Sequence, residues 1–112
     1  MIEDILIAYL NNKLDVPVYA EIPKNAPTAF CIVERVGGGE ENHINTAEIA
    51  IQSYNTSLYE ASALDKVMRD AMKEAVILPD ISSVTLNSST NYTYEKQYRY
   101  QSLFDITYYE ED

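Results

Sequence analysis

Apolar and polar positions change period along this chain, and each change marks an element. Over residues 2–13, Ile2, Ile5, Leu6, Tyr9 and Leu10 fall at i, i+3, i+4, i+7 and i+8. That spacing lays one apolar stripe along a helix. Glu3 and Asp4 near its start and Lys13 at its end suit the helix dipole, and Pro17 blocks continuation. Val18-Tyr19-Ala20 reads as a short extended piece, and Pro23 and Pro27 bracket a loop. Residues 28–36 are rich in β-branched and aromatic side chains and apolar on both faces for much of their length. That predicts a strand inside its sheet. Residues 44–54 alternate, with Ala47, Ile49 and Ile51 against Thr46, Glu48 and Gln52. This is a strand with one wet face. Between the two, residues 37–43 read as a long Gly-rich and polar hairpin tip.

Residues 57–76 give the clearest signal. Ser57-Leu58-Tyr59-Glu60 has the form of a capping box. Leu64, Val67, Met68, Ala71, Met72 and Ala75 form a stripe at helical spacing, and Asp65, Lys66, Arg69, Asp70, Lys73 and Glu74 are assigned to the wet face. Asp65–Arg69 is a favourable i,i+4 pair; Arg69–Lys73 is not. After Pro79, residues 81–87 alternate again, and Ser88-Ser89-Thr90-Asn91 has turn chemistry. Tyr98, Tyr100, Phe104, Ile106 and Tyr108 share one register of a last strand, which makes a second hairpin with a polar tip around residues 91–96. Glu110-Glu111-Asp112 reads as a short, frayed acidic tail. The expected order is α-β-β-β-α-β-β. It predicts one α+β domain over residues 1–112, a mostly antiparallel sheet packed by one long and one short helix in a two-layer sandwich.

Charge narrows the function classes. Eighteen Asp and Glu against eight Lys and Arg leave a net charge of −10. A general nucleic-acid binder draws its affinity from Lys and Arg on phosphates, and an anionic membrane asks for the same residues. Neither fits. Met1-Ile2-Glu3-Asp4 lacks the basic start of a signal peptide, and no apolar run reaches the ~20 residues of a membrane span. The expectation is a soluble, cytoplasmic chain. Cys31, the one cysteine, lies in an apolar run and reads as a small buried hydrophobe.

Candidate chemistry is sparse. His43 stands beside Glu40, Glu41 and Asn42 without the ligand spacing of a metal site. Gly37-Gly38-Gly39 lacks the Lys-Ser or Lys-Thr of a phosphate loop and precedes a strand. No nucleophile elbow is present, and the carboxylates are too scattered to pick out a glycosidase pair. No catalytic, cofactor-binding or metal-ligating residue is assigned, and the expectation is a non-enzyme. The ten tyrosines are the anomaly. Tyr suits strands, which covers Tyr98, Tyr100 and Tyr108. Tyr92 and Tyr94, near a hairpin tip, fit contact surfaces better.

Four segments then carry a resemblance. Residues 30–42, Phe-Cys-Ile-Val-Glu-Arg-Val-Gly-Gly-Gly-Glu-Glu-Asn, resemble the VERTGGG segment of small tail proteins from long-tailed bacteriophages and prophages. Residues 50–61, the opening helix followed by residues 16–23, and the final Tyr98-Arg99-Tyr100-Gln101-Ser102-Leu103-Phe104-Asp105-Ile106 resemble the same group. The group is that of tail terminator, or tail-completion, proteins, and the resemblance spans nearly the whole chain. It implies a structural α+β subunit that forms a ring, hexameric in such proteins, which caps the tail tube and joins it to the head connector. The implied partners are copies of the chain itself, a tail-tube protein and a neck or connector protein, with no membrane and no cofactor. DNA is implied only as cargo passing through the channel. The implied location is the host bacterial cytoplasm during assembly, then the virion tail. Contacts are expected at the two tips, with Gly38, Gly39, Glu40, Glu41 and His43 in one and Tyr92 and Tyr94 in the other. Arg35 and Arg99 are candidates to pair with a neighbour's acids, or locally with Glu34 and Glu95. A neck or head-completion subunit is the alternative. From another class comes an acidic inhibitor that mimics DNA, which would need its carboxylates in two rows; here they are spread along the chain among Lys and Arg.

Overall fold

The computed structural model describes residues 1–109, so the acidic tail 110–112 lies outside the described residues. The chain folds as α1 (Ile2–Lys13), β1 (Val18–Tyr19), β2 (Phe30–Glu41), β3 (Ile44–Asn55), α2 (Leu58–Lys73), a 3-10 turn (Glu74–Ile77), β4 (Ile81–Asn91) and β5 (Tyr98–Tyr108). The five strands form one sheet in the order β1-β2-β3-β5-β4. All neighbours are antiparallel except β1 and β2, which run parallel over Val18–Cys31 and Tyr19–Ile32. The α+β two-layer expectation holds, with that one parallel pair added.

Helix α1 buries Ile2, Leu6, Tyr9 and Leu10. Its Leu14 cap is extended, so the helix ends ahead of Pro17. Helix α2 starts at Ser57, whose side-chain oxygen accepts the Glu60 amide at 3.1 Å. It buries Ala61, Leu64, Asp65, Met68 and Met72. Both helices lie over the sheet face that carries Cys31, Val33, Ile49, Ile51, Phe104 and Ile106, and these side chains make the main core. Each large apolar side chain buried there contributes about 1.5–3 kcal/mol. The Tyr9 hydroxyl donates to the Ala71 carbonyl at 2.7 Å and joins the two helices. Burial, and then the Glu74 carboxylate, pushes that phenol above its usual range. A smaller cluster of Phe30, Ile32 and Tyr54, joined by Tyr19, sits apart from this core.

Four expectations need correction. Residues 37–41 are not loop: β2 runs to Glu41, and the turn is Asn42-His43 alone, both left-handed at φ 53° and 68°. Ser88 to Asn91 is not turn either, because β4 continues through it. Low strand propensity in Gly, Ser and Asn gave way to pairing with a neighbouring strand. The long helix ends as a 3-10 turn before Pro79 rather than continuing to residue 76. Asp65 is 1% exposed and Val67 53%, so these two exchange the faces assigned to them. The true stripe is Ala61, Leu64, Asp65, Met68 and Met72, with 4-3-4 spacing through Ala61, Asp65, Met68 and Met72.

Candidate functional site

The register fixes where the two hairpin tips go. Asn45 pairs with Tyr108 at one end of the central strands, and Asn55 with Tyr98 at the other. The β2–β3 turn therefore lies at one end of the sheet and the β4–β5 turn at the opposite end. The molecule measures 44 × 23 × 23 Å.

The β2–β3 end is acidic and poor in side chains. Two successive residues with positive φ, Asn42 and His43, make the tight connection that matches strand twist. Below them the stem is held by few groups. The Gly39 amide donates to Thr46 Oγ1 at 3.2 Å. Arg35 folds back, its Nε donating to the Gly37 carbonyl at 3.1 Å and its Nη2 to the Thr46 carbonyl at 3.3 Å. These bonds replace the Glu34 pairing considered for it. Gly38 has φ 135°, and a Cβ there would collide with the Thr46 carbonyl oxygen. Gly39 has open space instead. Glu40, Glu41 and His43 are exposed. An open depression of about 350 Å³ nearby is lined by Gly38, Glu48 and Asp105 among others, so its charged walls are both carboxylates.

The β4–β5 end is aromatic. Tyr94 and Gln97 exchange backbone bonds of 3.3 and 3.0 Å around a Glu95-Lys96 turn. Arg99 is the organising group. Its Nε donates to the Tyr92 carbonyl at 2.9 Å and its Nη1 to the Tyr54 hydroxyl at 2.7 Å. Its guanidinium lies 5.0 Å from the Tyr92 ring centre and 5.5 Å from that of Tyr54. Tyr54 in turn stacks on Phe30 at 4.6 Å, and Phe30 meets Tyr19 at 6.2 Å. A continuous train of rings thus runs from β1 to the far hairpin through one cation. Arg99 is occupied by these groups, not by Glu95. Tyr92 and Tyr94 remain 48% and 67% exposed, and Tyr59 at the start of α2 is 79% exposed.

The structure keeps the candidate residues apart. Arg35, Gly38, Gly39, Glu40, Glu41 and His43 belong to one end, and Tyr92, Tyr94 and Arg99 to the other. A buried cluster went unseen in the sequence. Asp65 accepts from Arg69 Nε at 2.8 Å, Ser89 Oγ at 2.7 Å and Ser102 Oγ at 2.6 Å. It fastens α2 to β4 and β5. Its place in the 4-3-4 stripe was the available signal. Cys31 is fully buried beside the Ser53 hydroxyl at 3.5 Å, and burial pushes its thiol up to about 11. Among the described residues, no three His, Cys, Asp or Glu stand close enough to hold a metal ion, and no helix is long and apolar enough to cross a membrane. No family model matches the chain, and no curated protein matches it in sequence.

Proposed function

We propose that this chain is a structural subunit of a long-tailed phage or prophage tail, a terminator that assembles as a ring, caps the tail tube and meets the head connector. The observation that carries this reading is the two-ended form of the subunit. Two hairpin tips lie at opposite ends of one sheet, one acidic and Gly-rich, the other aromatic. A ring between a tube and a connector needs two unlike ends for two unlike partners, and a body between them for its own copies. Exposed tyrosines suit a contact with a protein surface. The acidic end suits a channel through which DNA slides, because carboxylates do not hold phosphates. The four resembling segments supply the family. In this role the chain works by contact and catalyses no reaction.

The test combines imaging with capture. Purified chain, alone and mixed with tail tubes, is examined by negative stain and light scattering, then captured against tail-tube and connector proteins. Rings that seat on tube ends are the expected result. Capture by the connector alone points to a neck subunit instead. Binding to neither partner sinks the tail reading.

A further inference from the structure

The two long borders of the sheet are unlike, and among the described residues they are open. On one side β1 covers β2 only as far as Ile32, so β2 is bordered by β3 alone from Val33 to Glu41. On the other side β4 is the edge strand along its whole length. Such borders present rows of backbone donors and acceptors, and proteins normally protect them with charge, proline or brevity. β4 has none of these. It is eleven residues long, Ile-Ser-Ser-Val-Thr-Leu-Asn-Ser-Ser-Thr-Asn, with no charged residue and no proline. Its irregularities between Ile81 and Ser83 and between Leu86 and Ser88 bend it without covering it.

The registers show how the borders correspond. One row across the sheet reads Arg35, Ile49, Phe104, Leu86. The β2 bulge, at Val36, lies just past this row on one side, and the β4 bulge, at Asn87, just past it on the other. Val36 is 49% exposed and Leu86 37%, so each border carries an uncovered apolar side chain at about the same height. β2 and β4 also run in opposite directions through the sheet. A copy turned about an axis along the strands, with no shift along it, therefore offers its β2 antiparallel to β4, with Arg35 level with Leu86 and the bulge residue Val36 next along.

We infer that the second copy docks edge to edge, β4 of one subunit pairing antiparallel with the open part of β2 of the next, around a Leu86–Val36 contact. The inference rests on the self-assembly part of the proposed function and supplies its contact. Charge disfavours one of the two symmetric pairings, and use of both borders separates the proposed contact from the other. β2 against its own copy sets Glu34, Glu40 and Glu41 against like charges. β4 against its own copy makes a closed dimer and leaves the β2 border bare. β4 against β2 uses both borders of every subunit, and a head-to-tail contact that closes gives a ring.

Cysteine cross-linking of the full-length chain tests this. Cys31 is buried with its thiol pushed up to about 11, so mild oxidation near pH 8 reports the introduced thiols alone. The double variant Val36→Cys/Leu86→Cys is expected to give a reducible ladder ending in one closed species. Either single variant alone should give none, and mixing the two singles should give dimers. Both sites are exposed, and unchanged thermal melting confirms that the variants fold. Leu86→Asp, with unchanged melting, is expected to weaken self-association roughly tenfold or more, since it puts a carboxylate in place of the apolar contact with Val36. Dimers from Leu86→Cys alone overturn the pairing in favour of a symmetric β4 contact. Rings by negative stain without the Val36–Leu86 cross-link overturn the edge contact and leave the ring standing. A monomer without cross-links at the highest soluble concentration overturns it outright. Cross-linked rings that ignore tail tubes sustain the edge contact and remove the tail reading.

Discussion

The two hairpins are built alike and held differently. Both are paired antiparallel ribbons, each joined by a short turn with left-handed residues, Asn42 and His43 in one and Glu95 in the other. The β4–β5 ribbon is fastened from both faces. Asp65 grips Ser89 and Ser102 from beneath, and Arg99 clamps its outer stem between two rings. In the β2–β3 ribbon the two strands differ: β2 is buried from Phe30 to Val33 and exposed from Glu34 onward, while β3 is buried at Ala47 and from Ile49 to Tyr54 and pairs with β5 throughout. Backbone pairing to β3, one Arg and one Thr hold the outer part of β2. The lesson is that a hairpin can be ordered by side chains from outside or by its own backbone geometry, and the two routes fail in different ways.

The largest expected effect strikes the fastened ribbon. Asp65→Ala removes the acceptor of two serines and an arginine, which should cost about 3 kcal/mol and lower the melting temperature of the whole domain. Wild-type-like melting would mean that the carboxylate does not hold α2 to the sheet. The outer part of β2 should break at its backbone instead. Gly38→Ala meets both a positive φ and the Thr46 carbonyl, a cost of about 2–3 kcal/mol, while Gly39→Ala, in open space, should stay within about 0.5 kcal/mol in the same denaturant titration. Equal effects at the two glycines would contradict the geometry.

At the root of this ribbon, Cys31 gives a pH test. Its folded thiol is raised from 9.0 to about 11, so its contribution to stability is whole below pH 9.0 and is lost as pH rises to about 11. The alkaline loss assigned to it is about 1–2 kcal/mol, and Cys31→Ala should remove that part of the pH dependence in urea melts. Arg99→Ala should cost about 1 kcal/mol, and Arg99→Lys should not restore it, since a point charge cannot bond Tyr54 and Tyr92 in a plane. Hydrogen exchange should then quicken at Tyr92–Gln97 and leave Glu40–His43 unchanged. Smallest of all, His43→Gly should stabilise by a few tenths of a kcal/mol, because Asn-Gly suits two left-handed positions better than Asn-His.

This contrast also explains which parts were legible in advance. The helices and the strand roots announced themselves by period, because there burial dictates residue type: Ile49 and Ile51 on one strand, Met68 and Met72 on one helix. Ser57 gave the start of α2. The outer ribbons were hidden because solvent on their flanks removes the apolar pattern, and a run such as Gly37-Gly38-Gly39 or Asn87-Ser88-Ser89 then looks like a turn. What makes them strands is a partner elsewhere in the chain, Glu48 to Thr46 for one and Ser102 to Phe104 for the other. Asp65 was misplaced for a related reason: its charge suggested water, while its spacing pointed inward. Arg35 and Arg99 were expected to pair with carboxylates, whereas their bonds within the subunit run mainly to carbonyl oxygens, which side-chain identity does not reveal.

The Asn11 side chain donates to the Val18 carbonyl at 3.1 Å and accepts the Val18 amide at 3.0 Å. A single carboxamide thus does for β1 what an extra strand would do. A colliding chain then finds no free bond at Val18 to copy, though β2 beyond Ile32 on the same border stays open, and Asn11→Ala would extend that template by one residue.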